Sequence, residues 1–152
     1  MARAVNVFAS ELSAIADGVR GERLLERAPE TKLRSAVWEL DPGAASGEYH
    51  LHHATEELLV VLRGTPTLRT PAGERRLAEG DVVHFATGPE GAHRILNRSD
   101  GVARYLMVAS HIPLDVIEYP DKHEVLVWTA AESPQSGEPL FIVHDLAAGS
   151  AD

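Results

Sequence analysis

An antiparallel all-β barrel or sandwich is the fold class this chain predicts, and three observations carry it. Short apolar runs recur along the chain, broken by Gly, Pro, Asp and Asn, as strands joined by turns require. Helical periodicity is scarce. The candidate strands are also too numerous for a flat open sheet, so the chain must close or fold over on itself. At 152 residues it is one domain of ordinary size, long enough to bury a core unaided.

The elements follow in chain order. One short helix is expected at Ala9–Ala16, where Phe8, Leu12 and Ile15 stand at helical spacing and Ser10 is an N-cap candidate. It falls in an N-terminal segment, residues 1–34, that also holds an edge strand. The barrel, residues 35–130, carries strands at 36–40, 48–53, 57–63, 67–70, 74–77, 81–85, 93–97, 103–110 and 124–128. Pro71 and Gly73 in the run TPAGE suit a tight reversal between two of them. Asp41-Pro42-Gly43 and the AASGE that follows form a loop leading into the histidine strand. Residues 131–152 form a C-terminal extension, in which 141–145 is a candidate edge strand.

Composition excludes several classes of function. There are no cysteines, which removes disulfides, thiolate metal sites and cysteine catalysis, so any metal is held by nitrogen and oxygen. A formal net charge of −9 argues against nucleic acid and against an anionic membrane surface. No apolar run approaches the roughly 20 residues needed to span a bilayer, and no signal peptide is legible at the N-terminus. The expectation is a cytoplasmic protein facing small molecules.

The chemistry concentrates in YHLHHATEELLVVLRG, residues 49–64. His50 and His52 are two apart, so in a strand they share a face on which two imidazoles can converge on one ion. Glu57 shares a face with Leu59 and Val61, opposite Leu58, Val60 and Leu62. A carboxylate opening a strand that is apolar on both faces lies at the mouth of an interior, where a cation is a fitting partner. Glu56, of opposite parity, belongs to the surface or rim. His93, delivered to a strand start by the loop of Gly88, Pro89 and Gly91, is the candidate for the fourth ligand. Two octahedral positions would stay open for water or substrate.

These residues resemble the cupin family, whose fold is the double-stranded β-helix or jelly-roll barrel. Its first motif is answered by His50, His52, Glu57 and Gly64, with Gly43 one residue too far upstream. Gly80, Gly88, His93 and Asn97 answer to the second, although Ala86 stands where the motif has proline and two extra residues precede His93. The resemblance runs from about Pro42 to Asn97 and implies one divalent ion (Fe, Mn, Ni or Zn) held by His50, His52, Glu57 and His93. His53 also stands at an allowed spacing from Glu57 and is the alternative to His52, but its partner would be Leu51, which cannot ligate.

Other residues have plainer readings. His84 suits a packed or rim position, Asn97 suits backbone hydrogen bonds, and His111, His123 and His144 lie outside the motifs. Arg63, Arg69 and Arg94 are candidates for an anionic substrate, yet such residues more often extend along the surface. Trp38, Tyr49, Phe85 and Met107 are candidate pocket walls. The resulting expectation is a metal-dependent cupin acting on a small molecule, an enzyme of oxygenase, isomerase or hydrolase type. The alternatives are a non-catalytic ligand-binding cupin and a structural jelly roll. A homodimer is expected from the apolar outer face of Leu58, Val60 and Leu62.

Overall fold

The computed structural model describes residues 4–9, 11–25, 31–132 and 139–146. Two antiparallel sheets face each other, as in a jelly roll. The six-stranded sheet has the spatial order β1 (Ser13–Ala16), β2 (Val19–Arg23), β3 (Leu33–Leu40), β10 (Ala103–Ser110), β5 (Glu57–Arg63), β8 (Val82–Phe85). The seven-stranded sheet runs β13 (Pro139–Asp145), β12 (Glu124–Glu132), β11 (Leu114–Tyr119), β4 (Ala45–His52), β9 (His93–Leu96), β6 (Thr67–Thr70), β7 (Gly73–Arg76). Strands distant in sequence alternate in both sheets, so most pairings are non-local.

The expected helix at Ala9–Ala16 is absent. Asn6 to Ala9 form a turn closed by Ala9 N–H on Asn6 O at 3.1 Å, and Ser13–Ala16 is a strand paired with β2. An eight-residue helix is marginal in isolation, whereas Asp17-Gly18 is a strong hairpin signal. Gly18, at φ 65°, supplies the left-handed turn conformation, and Ala16 pairs with Val19 across it. Ser10, the candidate cap, lies outside the described residues.

Side-chain alternation then sorts each strand. On β5 the inward positions run from Val61 and Leu59, at 2% and 0% exposure, to Glu57. Leu59, Val61, Leu40, Leu68, Ile95 and Tyr105 fill the space between the sheets. Each such side chain contributes about 1.5–3 kcal/mol by leaving water. Outward, Leu58 is 37% exposed, so β5 is covered by its own chain on one face and not on both. Asn97 is fully buried, and its Nδ2 donates to Leu40 O at 2.8 Å and Gly101 O at 2.7 Å. It closes the loop between β9 and β10.

The edge strand expected at 141–145 is present as β13, paired along its length with β12. Among the described residues no helix is long and apolar enough to cross a membrane.

Candidate metal centre

Three imidazoles and one carboxylate meet where β4, β9 and β5 face one another. His50 and His93 are direct cross-strand partners in the β4–β9 register, and antiparallel partners project to the same side. His52 follows His50 two residues on along β4, so it shares that face. The rings lie close: His50 to His52 is 5.1 Å between centroids and His50 to His93 is 4.7 Å. Glu57 arrives from the opposite sheet, its Oε2 lying 3.6 Å from His52 Nε2 and 3.3 Å from His93 Nε2. Ligand atoms of His50, His52 and Glu57 all fall within 4.8 Å of one another, a spacing open to a single ion.

Each ring is fixed by the nitrogen that faces away. His50 Nδ1 lies 2.9 Å from Glu48 O, His93 Nδ1 2.9 Å from Gly91 O, and His52 Nδ1 2.6 Å from Asp115 Oδ2. All three partners only accept, so every Nδ1 carries the proton and donates it. Nε2 is therefore the nitrogen that each ring turns toward the centre, and those of His52 and His93 face Glu57. Phe85 stacks on the His93 ring at 3.7 Å and locks its plane.

The electrostatics favour a cation between these atoms. Burial opposes ionisation of Glu57, but the imidazoles of His93, His52 and His50 outweigh it and hold the carboxyl below its usual range. Burial, reinforced by the neighbouring His93, brings His50 down to about 4, so it is neutral near pH 7. Glu57 Oε2 is buried and has no hydrogen-bond partner. A buried carboxylate oxygen left without a hydrogen bond among imidazole nitrogens is a setting that a cation completes. The donor set, three imidazole nitrogens and one carboxylate oxygen, fits Fe, Mn, Ni or Zn.

Asp115 is a functional residue that sequence reasoning missed. It sits on β11 at 2% exposure, accepts from His52 and takes the Ala54 N–H at 2.9 Å. Burial opposes its charge, yet His52, the Thr55 hydroxyl and, least, that amide bring it to about 2. A carboxylate behind a ligating imidazole fixes the ring and raises its basicity.

The loop before His93 explains the departure from the second motif. Pro89–Gly91 forms a single 3-10 turn, so the proline and glycine the motif asks for stand three residues late. A Cβ on Gly91 would lie 1.7 Å from Ala86 O, so no other residue fits there. Gly88 N–H donates to His52 O at 2.7 Å and ties the loop to β4.

The remaining candidates separate. His53 points outward, 44% exposed and 3.1 Å from Glu118, so the register places His52 and not His53 beside Glu57. His84 and Glu56 are both exposed on the outside, 3.8 Å apart. Arg69 pairs with Asp121 at 2.8 Å and covers the Tyr49 ring at 4.0 Å on the outer face, and Arg94 faces Glu48 at 3.9 Å. Arg63 is exposed at the end of β5.

Two cavities reach the imidazoles of the centre, and Glu57, Trp38 and Met107 line both. The larger, about 420 Å³, is bounded by His50, His93, Tyr105 and the β1–β2 hairpin through Ile15 and Val19. The smaller, about 210 Å³, passes His52 toward Arg23, Arg34 and His111.

A model of the cupin domain, Cupin_2, matches residues 36–109. The chain belongs to the cupin superfamily. Among solved structures, a sugar phosphate isomerase from a cupin superfamily of Silicibacter pomeroyi aligns at 24% identity and TM-score 0.76, covering 94% of this chain and 92% of that one. A provisionally named sugar phosphate isomerase from Acidithiobacillus ferrooxidans is 30% identical, with TM-score 0.67 over 78% of this cupin and 70% of its own length. A predicted oxalate decarboxylase from Thermotoga maritima is 23% identical, with TM-score 0.63 over 72% of this chain and 100% of that one. No curated protein sequence matches the chain significantly.

Proposed function

We propose that this cupin is a metal-dependent enzyme acting on a small hydroxylated carbonyl compound, and that the reaction is an isomerisation. One observation carries the reading: a buried Glu57 oxygen without a hydrogen bond and three imidazole nitrogens meet in the wall that two cavities share. A purely bracing metal has no need of cavities on either side. His50, His52, Glu57 and His93 would hold the ion, which when bound polarises an oxygen of the substrate. Tyr105 lines the larger cavity, and burial pushes its phenol well above the usual range. It therefore donates a hydrogen bond and keeps its proton at neutral pH. Trp38 and Met107 keep the centre dry on the side away from the imidazoles. The name borne by the Acidithiobacillus relative supports isomerisation over oxygenation or hydrolysis.

Proton NMR in D2O on aldose and ketose panels tests this, with the protein loaded in turn with each of the four metals. Deuterium entering beside the carbonyl, together with aldose–ketose interconversion, is the expected result. Saturable binding with no exchange would replace the enzyme with a binding module. A homodimer through the apolar outer face belongs to the same reading, supported by exposure of Leu58 at 37% and Val82 at 59%. Gel filtration showing a monomer would remove it.

A further inference from the structure

The described arginines divide by partner. Arg20, Arg69, Arg94, Arg98 and Arg104 each lie within ion-pair distance of a carboxylate. Arg23, Arg34, Arg63, Arg75 and Arg76 pair with no acidic side chain among the described residues, and of these Arg23 and Arg34 line the smaller cavity beside Glu57. Arg34 Nε is buried without a hydrogen-bond partner, and the guanidinium lies 5.4 Å from the Trp128 ring centre. Burying part of an uncompensated guanidinium is unfavourable unless an anion completes it.

The register shows how these side chains stand relative to the metal centre. Arg23 pairs with Ala36, one inward position from Arg34 on β3, so the two arginines are diagonal neighbours on one face. Arg34 pairs with Ala109, and Ala109 pairs with Glu57 on its other side. Arg34 and Glu57 thus occupy one cross-strand row with a single methyl between them, two strand spacings or about 10 Å apart. His111 lies beside them, its Nδ1 donating to Thr31 O at 2.7 Å, which leaves Nε2 free. That nitrogen accepts from an acidic hydroxyl when neutral and donates when protonated.

We infer that Arg23, Arg34 and His111 bind the phosphate group of a phosphorylated substrate whose other end reaches the metal centre. Two guanidiniums and an imidazole suit a doubly charged tetrahedral group with several oxygens better than a single carboxylate. The distance suits a short carbon chain: oxygens at one end face His52 and Glu57, and the phosphate lies at the cavity mouth. The inference rests on the proposed metal-dependent reaction for its other end, but its own test does not need turnover.

Isothermal titration with inorganic phosphate, on the metal-loaded protein and on protein stripped with chelator, tests it. Phosphate should bind both forms, and acetate should bind at least about tenfold more weakly. Arg34→Gln and Arg23→Gln should each weaken phosphate binding about tenfold or more with metal content unchanged, and Arg34→Lys should restore part of the loss. Loss of phosphate binding on metal removal, with Arg34→Gln unaffected, would place the anion on the ion and overturn the assignment. Acetate binding as well as phosphate would overturn the phosphate class. Failure of the protein to take up metal while arginine-dependent phosphate binding persists would remove the metal reading and leave this site standing.

Discussion

The two sheets build the metal centre in unlike ways. The seven-stranded sheet supplies three imidazoles, each held at Nδ1 by a fixed acceptor: two backbone carbonyls and the Asp115 carboxylate. The six-stranded sheet supplies one carboxylate, and its Oε2 is held by no hydrogen bond. One wall is preset in orientation, while the other brings a carboxylate whose buried oxygen is left without a hydrogen bond. A site divided in this way is rigid where geometry selects the ion and unsatisfied where binding must gain.

The contrast is broken most severely by removing the charge or one fixed ring. Glu57→Gln and His93→Ala should each lower metal affinity by more than about a hundredfold, read as metal per chain by elemental analysis after dialysis. His53→Ala is the control and should leave metal content unchanged, since that ring faces Glu118 outside the barrel. The reverse pattern would mean the wrong histidine has been placed in the site.

A smaller effect sharpens the difference among the three rings. Asp115→Asn should lower metal affinity about 10–100-fold while the fold survives, because the ring loses a charged acceptor and not a ligand. Competition titration against a chromogenic chelator measures it. Equal affinity in the variant would show that the carboxylate is no better an acceptor than the backbone oxygens behind His50 and His93.

The smallest effect concerns pH. In the metal-free protein folded His50 resists protonation down to about 4, against an ordinary value of 6.5. The unfolded chain thus binds the proton first, so stability is full above about 6.5 and falls as pH drops toward 4, by at most about 3 kcal/mol. Urea midpoints of stripped protein at pH 7 and pH 4.5 should differ in that direction, and His50→Asn should flatten the dependence.

Legibility in the sequence followed locality. The strands Glu57–Arg63, Thr67–Thr70 and Ala103–Ser110 match their sequence reading because clear turn residues or abrupt polar breaks bound them. The same local logic brought His50, His52 and Glu57 onto facing surfaces. The helix expected from Phe8, Leu12 and Ile15 failed because their spacing outweighed the turn at Asp17-Gly18; Phe8 and Ile15 end up exposed, Ile15 on β1. Asp115 was not legible. It meets His52 across 63 residues of chain, and nothing in LDVIEY separates a buried acceptor from an ordinary strand-edge aspartate. Arg23 and Arg34 were hidden for a related reason, since an arginine looks the same in sequence whether or not a carboxylate awaits it.

Ala109 stands between Arg34 and Glu57 in a single row of β-sheet partners. Strand spacing is set by backbone hydrogen bonds and barely varies, so the row works as a ruler with one division per strand. Moving the guanidinium from β3 to β10 would shorten the accepted molecule by about 5 Å, and a bulkier residue in place of Ala109 would block the scale between its marks. If Arg34 holds the phosphate as proposed, length selection in this barrel is a property of the sheet, and side chains choose only where the reading begins and ends.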